Sequence, residues 1–201
     1  VEPTGCGIGG DLFAIIWDAE KQELNGLNAS GRSPELLTLD YFKENNITEI
    51  PYLGPLPITV PGAVDGWFEM HNRYGRLSMN EILEPAIAYA EQGFPVSEVV
   101  SWLWKENATS RVMYEGFRNI YMPNGRAPNK GEVFKNPALA LTYKKIGTMG
   151  RDEFYKGDIA KKIDAFMVKN DAFLRYEDLA NHSSEWVKPV STNYRGYEVF
   201  E

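Results

Sequence analysis

The sequence predicts an α+β fold, and three observations carry that reading. An apolar run rich in β-branched and aromatic residues, Leu12-Phe13-Ala14-Ile15-Ile16-Trp17, is followed by a polar turn and a second strand-like run, Leu24 to Asn28. From Thr38 onward, apolar residues recur at helical spacing between Pro and Gly breakers. Near the end, Tyr197 to Phe200 returns to strand chemistry. The expected arrangement is an N-terminal β-hairpin, a long helical middle and a C-terminal strand.

Each element has a local reason. Leu12 to Trp17 has no polar residue to turn toward water, which predicts a buried strand. The returning strand delivers Ala29-Ser30-Gly31-Arg32-Ser33-Pro34, where Gly31 and Pro34 break regular structure. A two-stranded ribbon is marginal alone, so the sheet needs strands from outside the chain or from segments that read as loops. Pro61-Gly62 opens a helix carrying Val64, Trp67 and Phe68 and ending at Gly75. Ser78 and Glu81 form a capping box for a helix through Ile82, Leu83, Ile87 and Ala90, stopped at Gly93. Asn136-Pro137 opens Ala138 to Ile146 with Gly147 as the stop, and Asp158 caps Ile159 to Val168. Tyr176 to Ala180 reads as one short helical turn, and Tyr194-Arg195-Gly196-Tyr197 leads into the last strand.

Composition narrows the function classes. Lys and Arg number 21 against 28 Asp and Glu, a net charge of −7, so no global positive field attracts a phosphate backbone and nucleic acid is not a predicted partner. No apolar run approaches the roughly 20 residues of a membrane span. Cys6 is the single cysteine, which excludes an internal disulfide; with only His71 and His182 besides, a zinc site would have to be built around carboxylates, and no metal is predicted.

The motifs divide into scaffold and candidate site. Gly5-x-Gly7-x-x-Gly10 matches the dinucleotide fingerprint by letter, but a strand follows it where a helix is required, so the glycines, with Cys6 as a small buried residue, read as a close backbone approach. The carboxylate pairs Glu81/Glu84, Asp152/Glu153 and Glu177/Asp178 read as caps and solvated faces. Trp102 and Trp104, with Tyr114, Phe117 and Tyr121, read as core or interface before they read as a sugar platform. Asn28, Asn46 and Asn107 head glycosylation sequons that carry no weight without a known compartment. No Gly-x-Ser-x-Gly elbow or Cys–His pair supplies a nucleophile, and neither histidine has the context of a base. Arg32 stands apart: at the end of a core strand, its planar fork is placed either to pair with a structural carboxylate or to receive one from a ligand.

Taken in order, Glu2-Pro3 through Gly7-Ile8-Gly9-Gly10-Asp11, Gly31-Arg32-Ser33-Pro34, Val60-Pro61-Gly62-Ala63-Val64-Asp65-Gly66, Tyr74-Gly75-Arg76-Leu77, Pro85-Ala86, Ala90-x-x-Gly93-Phe94, Phe154-Tyr155-Lys156-Gly157, Asp178-Leu179 and Tyr194-Arg195-Gly196-Tyr197-Glu198-Val199 resemble the large-subunit region of γ-glutamyltranspeptidases over nearly the whole chain. The resemblance implies an N-terminal nucleophile hydrolase fold, an αββα sandwich of which residues 1–201 are an incomplete large-subunit part, with the protein's N-terminus and whole small subunit outside the sequence. It implies autocatalytic cleavage of a precursor, a small subunit from that same precursor as partner, and γ-glutamyl compounds such as glutathione as substrates. The resemblance further implies that the nucleophile is the small subunit's N-terminal threonine, that no catalytic residue lies within this chain, and that no cofactor is needed.

One site residue carries over: Arg32 matches the family arginine that grips the α-carboxylate of the γ-glutamyl group. In the best-known members an acidic residue and an Ala-Pro pair follow that arginine, whereas Ser33-Pro34 follow directly here, which resembles the acylase-like branch. The alternatives are accordingly an amidohydrolase acting on another carboxylated acyl group, as in cephalosporin acylases, and a non-catalytic binding relative. The chain opens on Val1-Glu2-Pro3 without Met and closes inside a strand, which predicts a piece of a longer protein and leaves both periplasmic or extracellular and cytoplasmic locations open. Expressed alone, it is expected to be poorly soluble or molten.

Overall fold

The computed structural model describes residues 2–201. In chain order these form β1 (Leu12–Asp18), β2 (Glu23–Ala29), α1 (Leu39–Glu44), α2 (Ala63–Tyr74), α3 (Met79–Gln92), β3 (Phe94–Pro95), α4 (Glu98–Arg111), α5 (Glu115–Tyr121), β4 (Val133–Phe134), α6 (Pro137–Met149), α7 (Arg151–Tyr155), α8 (Asp158–Lys169), α9 (Tyr176–Ala180), β5 (Glu185–Val187), β6 (Ser191–Tyr194) and β7 (Tyr197–Phe200). They divide into two compact units, one of Ile8–Gly75 with Arg151–Glu201, the other of Arg76–Gly150 with the residues up to Gly7.

The first unit holds the predicted hairpin. Strands β1 and β2 pair antiparallel from Leu12 opposite Ala29 to Asp18 opposite Glu23. The sheet gains a third strand without a local sequence signature: β5 lies antiparallel to β2, with Trp186 opposite Leu27. Helix α2 packs on one face, where a side chain at Gly66 would meet Ala29 and Leu12. Leu27, Ala29, Val60, Ala63, Val64, Phe154, Tyr155, Leu174 and Leu179 of this unit are all buried.

Two expectations for this unit need correction. β1 is a strand but only half-buried: its residues alternate between the two faces, and Phe13, Ile15 and Trp17 on the face away from α2 are 69%, 48% and 56% exposed. Val187 continues that apolar row from β5, because Gly26 stands opposite both Ile15 and Val187. Tyr197–Phe200 does not join this sheet. It pairs with β6 through a two-residue turn in which Arg195 and Gly196 both have positive φ, 54° and 87°, the backbone of a tight hairpin.

The second unit is mainly helical. Its aromatic core gathers Phe94, Val96, Val100, Trp104, Ala108, Ala127 and Phe134, with Phe117, Tyr121 and Met122 packed against it. The two-residue strands β3 and β4, which the sequence reading did not contain, bring Phe94 opposite Phe134. The Ser78–Glu81 capping box forms as expected, the Ser78 hydroxyl accepting from the Glu81 backbone and the Glu81 carboxylate accepting from the Ser78 backbone at 2.8 Å. Asn136 caps α6 by accepting from the Leu139 amide.

Gly147 does not stop α6, which runs on to Met149 and is capped by Gly150. A side chain at Gly147 would meet Asn80 Oδ1 at 2.5 Å, so the glycine sits where α3 and α6 come close and a larger residue would displace the Asn80 side chain. Back in the first unit, the residue preceding α8 is Gly157, and Asp158 is the first helical residue, where its charge favours the helix N-terminus without serving as the cap.

Candidate functional site

Arg32 lies just after β2 in a stretch whose backbone is clamped from three directions. The Gly31 amide donates to Asp11 Oδ1 at 3.0 Å. The Val60 amide donates to the Arg32 carbonyl at 3.0 Å. The Glu35 amide donates to Asp178 Oδ1 at 3.0 Å, and Pro34 between them is fully buried. Glycine is obligatory at 31, because any side chain there would collide with the Val60 carbonyl. On this fixed backbone the Arg32 side chain is 81% exposed and, among the described residues, makes one ion pair, Nη2 to Glu185 Oε1 at 3.0 Å. A single contact leaves most of the five-donor fork free for a planar carboxylate.

Directly behind this stretch is a buried polar cluster that the sequence reading missed. Asp65, on the first turn of α2, is 2% exposed. Its carboxylate accepts from Arg151 Nε, from the Ser184 amide at 2.6 Å and from the Ser184 hydroxyl. Arg151 also donates through Nη2 to the His182 carbonyl at 2.6 Å and lies over the Tyr155 ring at 4.5 Å. The Tyr155 hydroxyl donates to the Pro61 carbonyl at 2.7 Å and accepts from the Asp65 amide at 2.9 Å. His182 stacks on Tyr155 with ring centroids 5.2 Å apart, and its buried Nε2, 3.7 Å from Asp65 Oδ2, has no hydrogen-bond partner among the described residues.

The electrostatics follow from this geometry. Burial alone would raise the Asp65 pKa, but hydrogen bonds from Ser184 and Arg151 together with the Arg151 charge outweigh it and hold the carboxyl below its ordinary value. His182 is pushed down, mainly by burial and further by the charges of Arg151 and Arg32, against the upward pull of Asp65 and Asp11. Burial drives the Tyr155 hydroxyl well above the usual phenol range, so it stays a donor.

The other sequence candidates do not join this site. Cys6 is exposed rather than buried, and a side chain at Gly5, Gly7 or Gly9 would meet no described atom within 4 Å, so those glycines are not explained by close packing. Trp104 is core, donating Nε1 to the Tyr121 carbonyl at 3.1 Å, whereas Trp102 is 60% exposed, so the two do not share a platform. Glu81 is a cap. Asp178 serves the Arg175 and Glu35 amides. Asn28 accepts from the Ser30 amide and hydroxyl. Among the described residues, no group of three or more His, Cys, Asp or Glu is placed to hold a metal ion, and no helix is long and apolar enough to cross a membrane.

Comparison with known proteins assigns the chain. The gamma-glutamyltranspeptidase family model matches residues 1–201. The chain belongs to that family. Within it, the chain is 37% identical over 202 residues to the glutathione hydrolase-like YwrD proenzyme of Bacillus subtilis, covering 100% of this chain and 38% of that relative. Among solved structures it is similar to a cephalosporin acylase from Bacillus halodurans, with a TM-score of 0.93 and 40% identity over 99% of this chain and 38% of that one. It also resembles the Helicobacter pylori gamma-glutamyltranspeptidase, with a TM-score of 0.91 and 31% identity over 98% of this chain and 58% of that one. The expected α+β class and the N-terminal nucleophile hydrolase fold hold for this family member. The chain spans 38% of the YwrD proenzyme and 34% of the Bacillus subtilis glutathione hydrolase proenzyme.

Proposed function

We propose that residues 1–201 are a large-subunit part of an enzyme that cleaves the γ-glutamyl amide of glutathione-like substrates, and that Arg32 receives the substrate's α-carboxylate. The observation that carries this reading is an exposed guanidinium on a backbone clamped at Gly31, Arg32 and Glu35, within a chain of the γ-glutamyltranspeptidase family. A rigid mount lowers the ordering cost of binding, and a guanidinium fork matches a carboxylate in charge and plane.

In this reading the nucleophile is an N-terminal threonine of a small subunit cut from the same precursor. Its hydroxyl attacks the γ-carbonyl while its own amine takes the proton and passes it to the leaving amine. Water or an acceptor amine then releases the acyl group. The row of Phe13, Ile15, Trp17 and Val187 supports a second sheet, from the rest of the protein, packed on that face.

The test is Arg32→Ala in the full-length protein, assayed on γ-glutamyl-4-nitroanilide and on 4-aminobutyryl-4-nitroanilide, which lacks the α-carboxylate. The expected result is a loss of roughly 30- to several-thousand-fold in kcat/KM on the first, corresponding to about 2–5 kcal/mol, and a small change on the second. Equal losses on both remove Arg32 from the carboxylate role.

A second reading has its own support. Ser33-Pro34 directly after Arg32 and the 40% identity to the Bacillus halodurans acylase favour a carboxylated acyl group other than γ-glutamyl. A panel of γ-glutamyl, glutaryl and adipyl anilides ranks the two by kcat/KM.

A further inference from the structure

Two of the segments that frame Arg32 lead back to one buried carboxylate. Val60, whose amide holds the Arg32 carbonyl, precedes Pro61, whose carbonyl accepts from Tyr155, which in turn receives the Asp65 amide. Glu185, whose carboxylate holds the guanidinium, follows Ser184, which gives both its amide and its hydroxyl to Asp65. Arg151, paired with Asp65 on the other carboxylate oxygen, ties the same cluster to the His182 carbonyl just before that strand. One of the bonds that hold the Arg32 main chain and the ion pair on its side chain are therefore referenced to a carboxylate that is itself 2% exposed, while Asp11 and Asp178 hold the flanking amides independently of it.

We propose that Asp65 is the positioning residue of the Arg32 seat, acting through Ser184 on Glu185 and through Tyr155 on Val60-Pro61, so that the buried cluster sets the aim of the guanidinium toward the substrate carboxylate. The proposal rests on Arg32 being that seat. It gives the cluster a role that stability alone does not require, because a buried ion pair contributes little net stability compared with apolar packing of the same volume. It also explains why an arginine so exposed needs so many fixed neighbours: a fork displaced by about 1 Å loses one of its two parallel hydrogen bonds.

The gentlest probe is Ser184→Ala, which keeps the amide bond to Asp65 and removes the hydroxyl bond. In the full-length protein it is expected to raise KM for γ-glutamyl-4-nitroanilide about five- to tenfold with kcat within about twofold, and to leave KM for 4-aminobutyryl-4-nitroanilide unchanged. Ser184→Thr, which restores a hydroxyl, is expected to recover KM. In an Arg32→Ala background Ser184→Ala is expected to add nothing, since residues acting through one another are non-additive. Tyr155→Phe is the second probe, reaching the seat from the Val60 side with the same expected pattern. An unchanged KM in both variants, equal loss on both substrates, or full additivity with Arg32→Ala overturns the positioning role. If Arg32→Ala itself fails to separate the two substrates, the carboxylate-seat reading is wrong and the positioning proposal falls with it; if Arg32→Ala separates them while both probes are silent, only the positioning proposal is lost.

Discussion

Two arginine–carboxylate pairs, one in each unit, have the same chemistry and opposite consequences. Arg126 meets Glu132 twice, at 2.8 and 3.0 Å, a bidentate geometry that the Asn129 amide and side chain complete. Its side chains are 49% and 37% exposed, and the hydrogen bonds from Arg126 and Asn129 bring the Glu132 carboxyl down to about 2. Arg151 and Asp65 share one nitrogen and one oxygen, yet Asp65 is buried and tied to segments 86 and 119 residues away. Good local geometry at the surface fixes one loop, whereas a single buried contact fixes the relation of several segments. The first is dispensable and the second is not, because water replaces a lost partner only at the surface.

The sharpest way to break this contrast is Asp65→Asn. It keeps the shape, removes the charge and leaves Arg151, whose side chain is 23% exposed, with Asp152 at 3.1 Å as its remaining carboxylate partner. The expected loss is about 3 kcal/mol, the lower end of the range for breaking a buried pair because Arg151 retains some solvent. Denaturant unfolding of the full-length protein measures it. A loss no larger than that of a surface variant would mean that the cluster is not under load.

Tyr155→Phe comes next. It removes one hydroxyl that both donates to Pro61 and accepts from the Asp65 amide, leaving a buried carbonyl and a buried amide without that partner. The expected destabilisation is about 1–3 kcal/mol in the same unfolding experiment.

How much of this was legible in the sequence depends on the range of the interaction that fixes each element. The β1–β2 hairpin and the Ser78–Glu81 box are encoded within a few residues and were read correctly. β5 has only three residues and is a strand because β2 pairs with it, which no local pattern records. Gly147 was taken for a breaker because its reason lies in Asn80, on another helix. At the site, Arg32 stood out between two breakers at a strand end. Asp65 lay inside the Val60–Gly66 motif without any sign of its role, since its partners Arg151 and Ser184 come from distant segments. The signal that was present, and unused, was an aspartate in the first turn of a helix otherwise buried at that end, where Ala63, Val64 and Gly66 are all buried.

His182 sharpens the contrast through pH. Its pKa lies below the ordinary 6.5, so in the folded state it resists protonation while the unfolded chain takes the proton up. The stability that follows is fully present above about 6.5 and is lost as pH falls from there through the lowered folded value. Asp65, also held low, contributes stability that is present above its ordinary value of 3.8 and is lost only as pH falls below that, so the loss due to His182 begins at the higher pH. The melting temperature of the full-length protein is expected to decline below pH 6.5, and His182→Asn is expected to flatten that part of the curve while leaving the more acidic part in place. A curve unchanged by the substitution would mean that other groups carry the decline.

The smallest effect is expected at the pair with the better geometry. Glu132→Gln removes the charge from a site open to water, keeps an acceptor for Arg126 and Asn129, and is expected to leave the melting temperature at neutral pH within experimental error. Whatever the pair contributes lies above the ordinary carboxylate range, is lost as pH falls from about 4.5 toward 2, and weakens as salt is added. The informative comparison is therefore Glu132→Gln against Asp65→Asn across salt concentrations at neutral pH, with the surface variant staying on wild type throughout and the buried variant staying apart. A buried variant that also tracked wild type at every salt would mean that solvent reaches Asp65.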